Sequence, residues 1–322
     1  MTTHPTRPVI GSLGELLVEF ICTEQGGHHA SPAAYIGPFP SGAPGIFIDQ
    51  AARIASDLGG ATVFSGSVGN DAFGRVLLNR LRGAGVSDSL LRTIPGIPTG
   101  SAFVSYNPDG SRDFVFNIAH SAAAHFPHGP EASTAFLAAG TCVLHISGSM
   151  LGDPAMRARA LALCQTLHRA GVEISLDPNI RPELLRDAGY LDSVRAILGL
   201  ASYILPSDAD AEHLFPGQSF AQFGPPLLAA GARFVALKRG ADGAIAMDRS
   251  GTYDAKAHPV DVIDPTGAGD CFCATFVTLL AAGRTLPEAL RLANAAGALA
   301  VSKLGPMEGN SSLPALFSFL KD

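Results

Sequence analysis

One short segment in the last third of the chain combines small residues with an acidic residue in a pattern suited to phosphoryl chemistry. Residues 264–270 read Asp-Pro-Thr-Gly-Ala-Gly-Asp and stand directly before an apolar, helix-like run. Small residues let the backbone approach a ligand closely, and the unpaired N–H groups of a helix N-terminus attract anions. We therefore predict that Gly267, Ala268 and Gly269 form an anion hole for a phosphoryl group. Gly269 is expected to have torsions or a close approach that a side chain would spoil.

The acid at the end of this segment is the candidate catalytic base. Asp270 falls in the first helical turn, so its carboxylate can reach the same anion site and take a proton from an attacking hydroxyl, a contribution of roughly 10²–10⁴ in rate. An ordinary loop followed by a first-turn acid would account for a bare Gly-Ala-Gly-Asp string equally well. The complete seven-residue string before an amphipathic helix favours the catalytic interpretation.

The elements around this segment indicate an α/β fold. From about residue 142, stretches of helical periodicity alternate with short apolar runs typical of strands, at 142–146, 172–176, 202–205 and 234–237. Such alternation predicts a doubly wound, mostly parallel sheet with helices on both faces. Asp153-Pro154 is predicted to cap one helix. Two late helices are predicted, one from the 267–269 turn to Gly283 and one opening at the capping box Thr285-x-x-Glu288.

The first 120 residues have a different rhythm, which predicts a small β-rich lid. Residues 9–21 indicate an opening strand or hairpin, and helical patterns follow at about 46–58 and after Asp71. The runs 102–106 and 113–117 flank Asn107-Pro108-Asp109-Gly110, a strong hairpin signal. We predict a single domain over residues 1–322, with a discontinuous lid drawn from about 9–45 and 99–120.

The composition limits the classes of function. The chain has 322 residues and a net charge of −6, which disfavours a broad nucleic-acid surface. Its five cysteines form no C-x-x-C pair, and their odd number, with no apolar signal segment among the polar N-terminal residues, indicates reduced thiols in the cytoplasm. No stretch of about 18 apolar residues is free of polar interruption, so no membrane span is predicted. A Walker-type kinase and a dinucleotide oxidoreductase are disfavoured because their glycine-rich motifs are absent.

The 264–270 segment resembles the C-terminal signature of the ribokinase-like (PfkB) carbohydrate kinases, and other segments match that family in the right order. Gly14–Glu19 is similar to the opening strand of fructokinases and 2-keto-3-deoxygluconate kinases, and residues 37–44 are similar to a branch that includes tagatose kinases. The remaining matches are Gly42-Ala43-Pro44, Val68–Gly74, Asp177–Pro182, Lys238–Gly243 and Asn294. The resemblance covers about residues 9–308. The C-terminal signature at 264–270 is highly specific for the family, and the other segments indicate the family only when they are taken together.

The resemblance implies a role for each matching position. Asp270 would activate a primary hydroxyl beside the anion hole. The sugar would be bound by Glu19, Gly42 and Arg181, and ATP by Ser207, Lys238, Gly240, Gly243 and Asn294. Asp49 and Asn117 are further candidates for binding the sugar's hydroxyls by their own side-chain chemistry. Mg²⁺ would be held through water by Asp210 and Glu212, and a monovalent cation such as K⁺ by the backbone around Asp264, Thr266 and Gly305. Taken alone, Glu19 is equally well an exposed edge-strand charge, Gly42 a turn glycine and Arg181 a surface arginine.

Two departures from the family pattern concern the metal and the first glycine-rich signature. Ser207-x-x-Asp210 stands where the family usually has Asn-x-x-Glu, with Glu212 close by. Ile46 stands where the family has an asparagine, and Asp49 is an unusual polar residue in the helix that follows. A carboxylate is therefore kept near the expected magnesium site, in an altered position.

A third departure concerns the substrate. Residues 117–122 lack the arginine that 2-keto-3-deoxygluconate kinases carry there. Arg112 and Arg181 are the evident substitutes, and Arg112 follows a hairpin turn, where a solvated position is expected. A substrate carboxylate near Glu19 and Asp49 would then lack a cationic partner.

These features together predict an ATP-dependent sugar kinase that acts on a small neutral ketose, such as tagatose or fructose, with Mg²⁺ on the phosphates. The alternative within the same class is a 2-keto-3-deoxygluconate or nucleoside acceptor. The alternative of another class is a non-catalytic sugar or nucleotide sensor on the same fold. The expected partners are the sugar and ATP, without nucleic acid or membrane, and a homodimer through the lid is an open alternative.

Overall fold

The computed structural model describes residues 7–24, 26, 29–109 and 111–321, and its elements follow the apolar pattern of the chain. The strands in these ranges are β1 (Val9–Leu13), β2 (Leu17–Cys22), β3 (Tyr35–Ser41), β4 (Ala61–Gly69), β5 (Leu91–Ile94), β6 (Gly100–Tyr106), β7 (Arg112–Asn117), β8 (Val143–Ser147), β9 (Glu173–Asp177), β10 (Ala201–Ile204), β11 (Phe234–Lys238), β12 (Ala244–Asp248) and β13 (Gly251–Ala255). The α-helices are α1 (Ala43–Asp57), α2 (Ala72–Gly83), α3 (Gly129–Ala138), α4 (Pro154–Arg169), α5 (Ala188–Leu198), α6 (Asp208–Leu214), α7 (Phe220–Ala229), α8 (Ala268–Ala281), α9 (Leu286–Val301) and α10 (Leu313–Phe319).

Nine strands form the large sheet, in the order β13-β12-β11-β10-β9-β8-β1-β4-β5. Every neighbouring pair from β11 to β5 is parallel, and only β12 and β13 add antiparallel edges. One apolar cluster joins α1, α8 and α9 to the sheet, and a second joins α4, α5 and α7 to it. Helices therefore cover both faces, and the predicted doubly wound α/β fold is confirmed.

The chain order reverses between β8 and β1, the two central parallel neighbours. In open parallel sheets, ligands bind beyond the carboxyl ends of the strands at such a point. The segments that leave β1, β8, β9 and β11 at this edge begin at Gly14, Gly148, Pro178 and Arg239. The fold therefore brings the chain's polar loop residues to one edge.

Four strands form a separate small sheet in the order β3-β2-β6-β7. The β6–β7 hairpin has the predicted antiparallel pairing, while Gly110 of its turn lies outside the described residues. Of the two alternatives for residues 9–21, an opening strand or a hairpin, the hairpin is wrong, since β1 enters the large sheet and β2 the small one. Gly14 lies between them with φ 133, a backbone conformation that turns the chain from one sheet to the other. The small sheet thus begins at residue 17, later than predicted.

Side-chain caps fix the helix starts that the sequence indicated. Asp71 accepts a hydrogen bond from the Gly74 N–H (2.8 Å), and Asp153 accepts one from the Met156 N–H (2.8 Å). Each satisfies donors that an uncapped helix would leave unpaired. None of the helices in the described ranges is both long and apolar enough to span a membrane.

Candidate active site

The predicted anion-hole turn forms the N-terminus of α8. Gly267 is the N-cap with φ 85, and a Cβ there would lie 2.4 Å from the Pro306 carbonyl oxygen. Both the left-handed backbone and the close approach require glycine. Gly269 differs, because it has no left-handed torsion and a Cβ would meet only Lys238 Nζ, at 3.6 Å. The expectation of special torsions or a close approach is therefore wrong for Gly269; Gly267, for which it was not made, has both.

Asp270 is buried in the first turn of α8, with 8% of its surface exposed. Its Oδ1 has no hydrogen-bond partner in the described part of the chain. Burial, together with the negative charge of Asp177, raises the pKa of Asp270 to about 7, although Lys238 and Arg181 oppose the rise. A carboxylate with this pKa accepts a proton efficiently near neutral pH.

A buried ion pair lies beside this turn. Lys238 Nζ, at the end of β11, donates to Asp177 Oδ2, at the end of β9, at 2.5 Å. Burial alone would lower the pKa of Lys238, but the carboxylate of Asp177 raises it above its usual range. Lys238 is therefore a fixed positive charge next to the anion hole.

Two buried glutamates line the cleft that the start of α8 also borders. Ser41 Oγ donates to Glu19 Oε2 (2.9 Å) and Ser149 Oγ donates to Glu15 Oε1 (3.1 Å), but Glu19 Oε1 and Glu15 Oε2 have no partner among the described residues. Burial raises the pKa of each glutamate to about 7. Sequence reasoning assigned a role to Glu19 and missed Glu15, whose signal was a charged residue inside the apolar run between β1 and β2.

Two arginines enter the same cleft. Arg112, on β7 of the small sheet, donates from Nη1 to Thr266 Oγ1 (3.1 Å), and its guanidinium lies 5.5 Å from the centre of the Phe114 ring. Arg181 follows β9 and lines the cleft, as predicted. The expectation that Arg112 is solvated is therefore wrong: an even-numbered position on β7 places it on the cleft side with Phe114 and Phe116.

Two residues predicted to bind sugar lie elsewhere. Asp49 is fully buried and accepts hydrogen bonds from Arg53 Nε (2.9 Å), Arg80 Nε (2.9 Å) and Asn310 Nδ2 (2.7 Å). It is outside the cleft because α1 turns it toward α2. Asn117 also departs from the prediction: it alternates with the cleft-facing Phe116, and its Nδ2 donates to Ser101 Oγ (3.3 Å). Neither borders the cleft in this structure.

The predicted nucleotide residues divide into a lining group and a supporting group. Ser207, Lys238 and Gly240 line the cleft. Gly243 and Asn294 do not: a Cβ on Gly243 would lie 2.1 Å from the Ala255 carbonyl oxygen, and Asn294 Nδ2 donates to that same oxygen (2.9 Å). Both residues therefore contact the end of β13 and not the cleft.

The predicted magnesium residues also separate. Asp210 lines the cleft, but its oxygens accept from the Ile180 N–H (2.7 Å) and the Ser207 N–H (2.8 Å). Glu212 lies on the exposed side of α6, away from the cleft, so its predicted role is not supported by its place. In the described ranges no group of three or more His, Cys, Asp or Glu side chains is arranged to hold a metal ion. Asp210 is the one predicted magnesium carboxylate that borders the cleft. A single carboxylate suits Mg²⁺, which usually keeps several waters and is bound by one or two carboxylates together with substrate phosphates.

The residues predicted around a monovalent cation do come together. Asp264 is fully buried; its Oδ1 accepts from Tyr106 Oη (2.6 Å) and the Thr266 N–H (2.9 Å), and its Oδ2 accepts from the Gly305 N–H (3.0 Å). Burial and the bond to Asp264 raise the pKa of Tyr106 above its usual range. Because Tyr106 belongs to β6, this cluster ties the small sheet to the start of α8.

One cleft of about 860 Å³ is lined by residues of both sheets and their connections, among them Glu15, Glu19, Arg112, Arg181, Lys238 and Asp270. Its lining includes Glu15, Glu19, Ser41 and Gly42 from the segments around β2 and β3, and Lys238, Gly240, Gly267 and Asp270 from the end of β11 and the α8 turn. An anion hole, a carboxylate that ionises near pH 7 and unpaired acceptor oxygens suit transfer of a phosphoryl group to a hydroxyl.

Comparison with known proteins agrees with this chemistry. The profile of the pfkB family carbohydrate kinases matches residues 51–313. That range covers most of the chain, including the α8 turn. The chain belongs to the pfkB family of carbohydrate kinases. It is therefore an ATP-dependent carbohydrate kinase, as the α8 turn predicted.

Individual relatives of this kinase span nearly its whole length. A Bacillus subtilis 2-dehydro-3-deoxygluconokinase is 30% identical, with 96% of this chain and 94% of the relative covered. An E. coli structure provisionally named ribokinase II, in complex with ATP and Mg²⁺, is 34% identical with a TM-score of 0.88, covering 98% and 99% of the two chains. A Vibrio cholerae fructokinase double mutant with bound fructose, ADP and potassium ion is 25% identical with a TM-score of 0.80 and the same coverage. These names show a sugar kinase and leave the sugar open.

Proposed function

We propose that this kinase transfers the γ-phosphoryl group of ATP to a hydroxyl of a small neutral ketose of the tagatose or fructose type. The observation that carries the proposal is a set of buried carboxylate oxygens without partners among the described residues, Glu15 Oε2, Glu19 Oε1 and Asp270 Oδ1, on residues that border one cleft. Buried acceptors left unpaired are costly, so a ligand that donates several hydroxyl hydrogens matches the site.

Asp270 is proposed as the general base. Its carboxylate takes the proton of the attacking hydroxyl while the new O–P bond forms and the bond between the γ-phosphorus and the bridging oxygen breaks, which releases ADP. The N–H groups of Gly267, Ala268 and Gly269 would hold the charge on the transferring group. Mg²⁺, carried with the nucleotide and contacted through Asp210, would neutralise the phosphates.

Glu15, Glu19 and Ser41 are proposed to orient the sugar. Each glutamate has one oxygen held by a serine hydroxyl and one directed to no protein donor among the described residues. The serines fix the side-chain rotamers, so less conformational entropy is lost when the sugar binds. Gly42, with φ 101 and a Cβ position 2.6 Å from the Glu15 carbonyl oxygen, lets the backbone pass close to this group.

A second candidate substrate is 2-keto-3-deoxygluconate, and a specific observation favours it. Arg112 and Arg181 both border the cleft. Burial raises the pKa of Glu19, and the positive charges of these two arginines oppose that rise. A substrate carboxylate would thus find the cations that the sequence had seemed to lack. The ketose remains the preferred substrate for two reasons. Arg112 is already bonded to Thr266 and stacked on Phe114, and three buried carboxyl groups would repel the carboxylate of an acid substrate.

The test is a coupled ATP-consumption assay at matched ATP and Mg²⁺ over ketoses, aldoses and keto-deoxy acids. We expect the highest kcat/KM for tagatose or fructose. A preference of tenfold or more for the acid would overturn the ketose proposal, and the Arg112→Gln variant would then lose the acid preference. Sugar binding without any ATP consumption would indicate a sensor.

A monovalent cation at the Asp264 cluster is a separate proposal. Asp264 supplies a fully buried negative charge at the start of the α8 turn, and the N–H groups of Thr266 and Gly305 donate to its two oxygens and so fix the orientation of the carboxylate. A cation there would strengthen the positive field at the anion hole. We expect kcat to rise when K⁺ replaces tetramethylammonium at constant ionic strength. An unchanged kcat contradicts the site.

A homodimer through the small sheet is the remaining proposal. The sheet's outer face carries stacked Phe20 and Phe103 (5.2 Å between ring centres), with Phe73 from α2 and Val115 from β7 exposed by 37% and 43%. Exposed apolar patches of this kind mark interaction sites. Light scattering at micromolar concentration should give twice the monomer mass, and Val115→Asp should give the monomer. A monomeric wild-type protein contradicts the proposal.

A further inference from the structure

The Asp177–Lys238 ion pair lies against the first turn of α8, and the mechanism above gives it no part beyond its charge. The two side chains are only 3% and 13% exposed. Asp177 ends β9 and Lys238 ends β11, so the pair bridges the carboxyl ends of two strands that flank β10. A buried ion pair contributes little net stability, because the desolvation of the two charges offsets much of their attraction. A role other than stability is therefore expected for this pair.

The pair contacts the residues on both sides of Asp270. Cys273 Sγ lies 3.4 Å from Asp177 Oδ2 and 3.5 Å from Lys238 Nζ. Cys273 follows Asp270 by three residues on α8, so the two side chains share one face of the helix. Lys238 Nζ is also 3.6 Å from the position that a Gly269 Cβ would occupy. The pair thus underlies the stretch of α8 that contains the proposed base.

The groups that face Asp270 come from four elements or their ends. Glu15 comes from the β1–β2 connection, Asp177 from β9, Arg181 from the segment after β9, and Lys238 from β11, while the Cys273 thiol is on α8 itself. Within this set Asp177 opposes the ionisation of Asp270, and Lys238 and Arg181 favour it. The pair carries one charge of each sign, so removing either member changes the field at Asp270.

We infer that Asp177 and Lys238 are positioning residues, which hold the first turn of α8 in place and set the pH above which Asp270 is ionised. This inference rests on the proposed role of Asp270 as the base. In the wild-type protein the two charges act on Asp270 in opposite directions. The base therefore keeps an ionisation midpoint close to neutral pH rather than one displaced by a lone buried charge.

The test measures the acid limb of the kcat/KM profile in Asp177→Asn, with the ketose or acid that the wild-type protein turns over best. This change leaves an unneutralised ammonium facing Asp270, so the limb should move to lower pH by about one unit or more. Wild-type activity at pH 6 should be roughly a tenth of its plateau, and the variant should keep about half. Adding Lys238→Met removes the second charge and should return the limb toward the wild-type position, even where kcat stays low.

A matched control and a second readout separate charge from packing. Asp187→Asn breaks another aspartate ion pair, with Arg157 and outside the cleft, and should leave the limb unmoved. Carboxyl ¹³C NMR follows Asp270 directly, through the resonance that Asp270→Asn lacks, and needs no turnover. If Asp177→Asn does not fold, Asp177→Ser makes the same charge change with a smaller side chain.

The outcomes separate this inference from the proposed function. An acid limb and an Asp270 resonance with the same midpoint in Asp177→Asn as in the wild type would overturn the inference. So would a double variant that moves as far as the single one, because the shift would then owe nothing to Lys238. Wild-type turnover in Asp270→Asn would instead remove the base role, while the NMR titration would still report whether the pair sets the charge of Asp270.

Discussion

Replacing the proposed base should make the protein more stable, by an amount that depends on pH. Burial raises the pKa of Asp270 to about 7 from its ordinary value of 3.8, which applies in the unfolded chain. The folded state therefore holds this proton more tightly, so the stability that the group contributes is complete below about pH 4. It is lost as the pH rises through about 7. Above that pH the buried, ionised carboxylate of the wild type destabilises the folded state, and the Asp270→Asn variant removes this destabilisation.

The magnitude follows from the size of the shift. A difference of about three pKa units corresponds to about 4 kcal/mol, and sharing of protons with Glu15 reduces it. Asp270→Asn should gain about 2–4 kcal/mol in free energy of unfolding at pH 8, about 1–2 kcal/mol at pH 5, and almost nothing below pH 4.

Urea unfolding of both proteins at pH 4, 5 and 8 measures these differences. The exposed Asp187 is a control of opposite sign, because its bonds to Arg157 and the Gly189 N–H lower its pKa; Asp187→Asn should lose stability at pH 8. An Asp270→Asn variant that is no more stable than wild type at pH 8 would refute the reasoning that burial strains the ionised base.

Three further substitutions test the remaining assignments. Gly267→Ala should lower the free energy of unfolding by about 1–3 kcal/mol and abolish transfer, because its backbone is left-handed and Pro306 lies against it; unchanged urea unfolding contradicts this. Asp49→Asn should lower the free energy of unfolding by about 3 kcal/mol, as expected for a broken buried ion pair, with the sugar KM unchanged; a raised KM would return Asp49 to the site. Glu19→Gln should raise the sugar KM about tenfold or more by weakening charge-assisted hydrogen bonds, with kcat little changed; steady-state kinetics showing an unchanged KM would exclude Glu19 from the sugar site.

Local signals in the sequence predicted the fold and the α8 turn. Alternating apolar runs, the caps Asp71 and Asp153, and the Gly-Ala-Gly-Asp string all act over a few residues, so they can be read along the chain. The sequence left a strand or a hairpin open for residues 9–21 for a related reason: the turn at Gly14, which sends β1 and β2 into different sheets, depends on packing between the sheets and leaves no periodic pattern.

The parts of the site that escaped prediction depend on side-chain direction and on distant partners. Asp49 looked like a sugar ligand, but Arg80 and Asn310, far away in sequence, hold it in the interior. Arg112 looked solvated, but the pleat of β7 directs it into the cleft. Glu15 was overlooked because its burial and its orphaned oxygen appear only once β1 and the segment after β8 are adjacent.

The most direct test of ATP-dependent ketose phosphorylation by Asp270 is to incubate the protein with ATP, Mg²⁺ and tagatose or fructose. ADP and sugar monophosphate are then measured by mass spectrometry for wild type and Asp270→Asn. We predict equimolar ADP and sugar monophosphate from the wild type, and formation slowed by roughly 10²–10⁴ in the variant. Equal rates from the two proteins, or ATP consumption without a sugar phosphate, would contradict the claim.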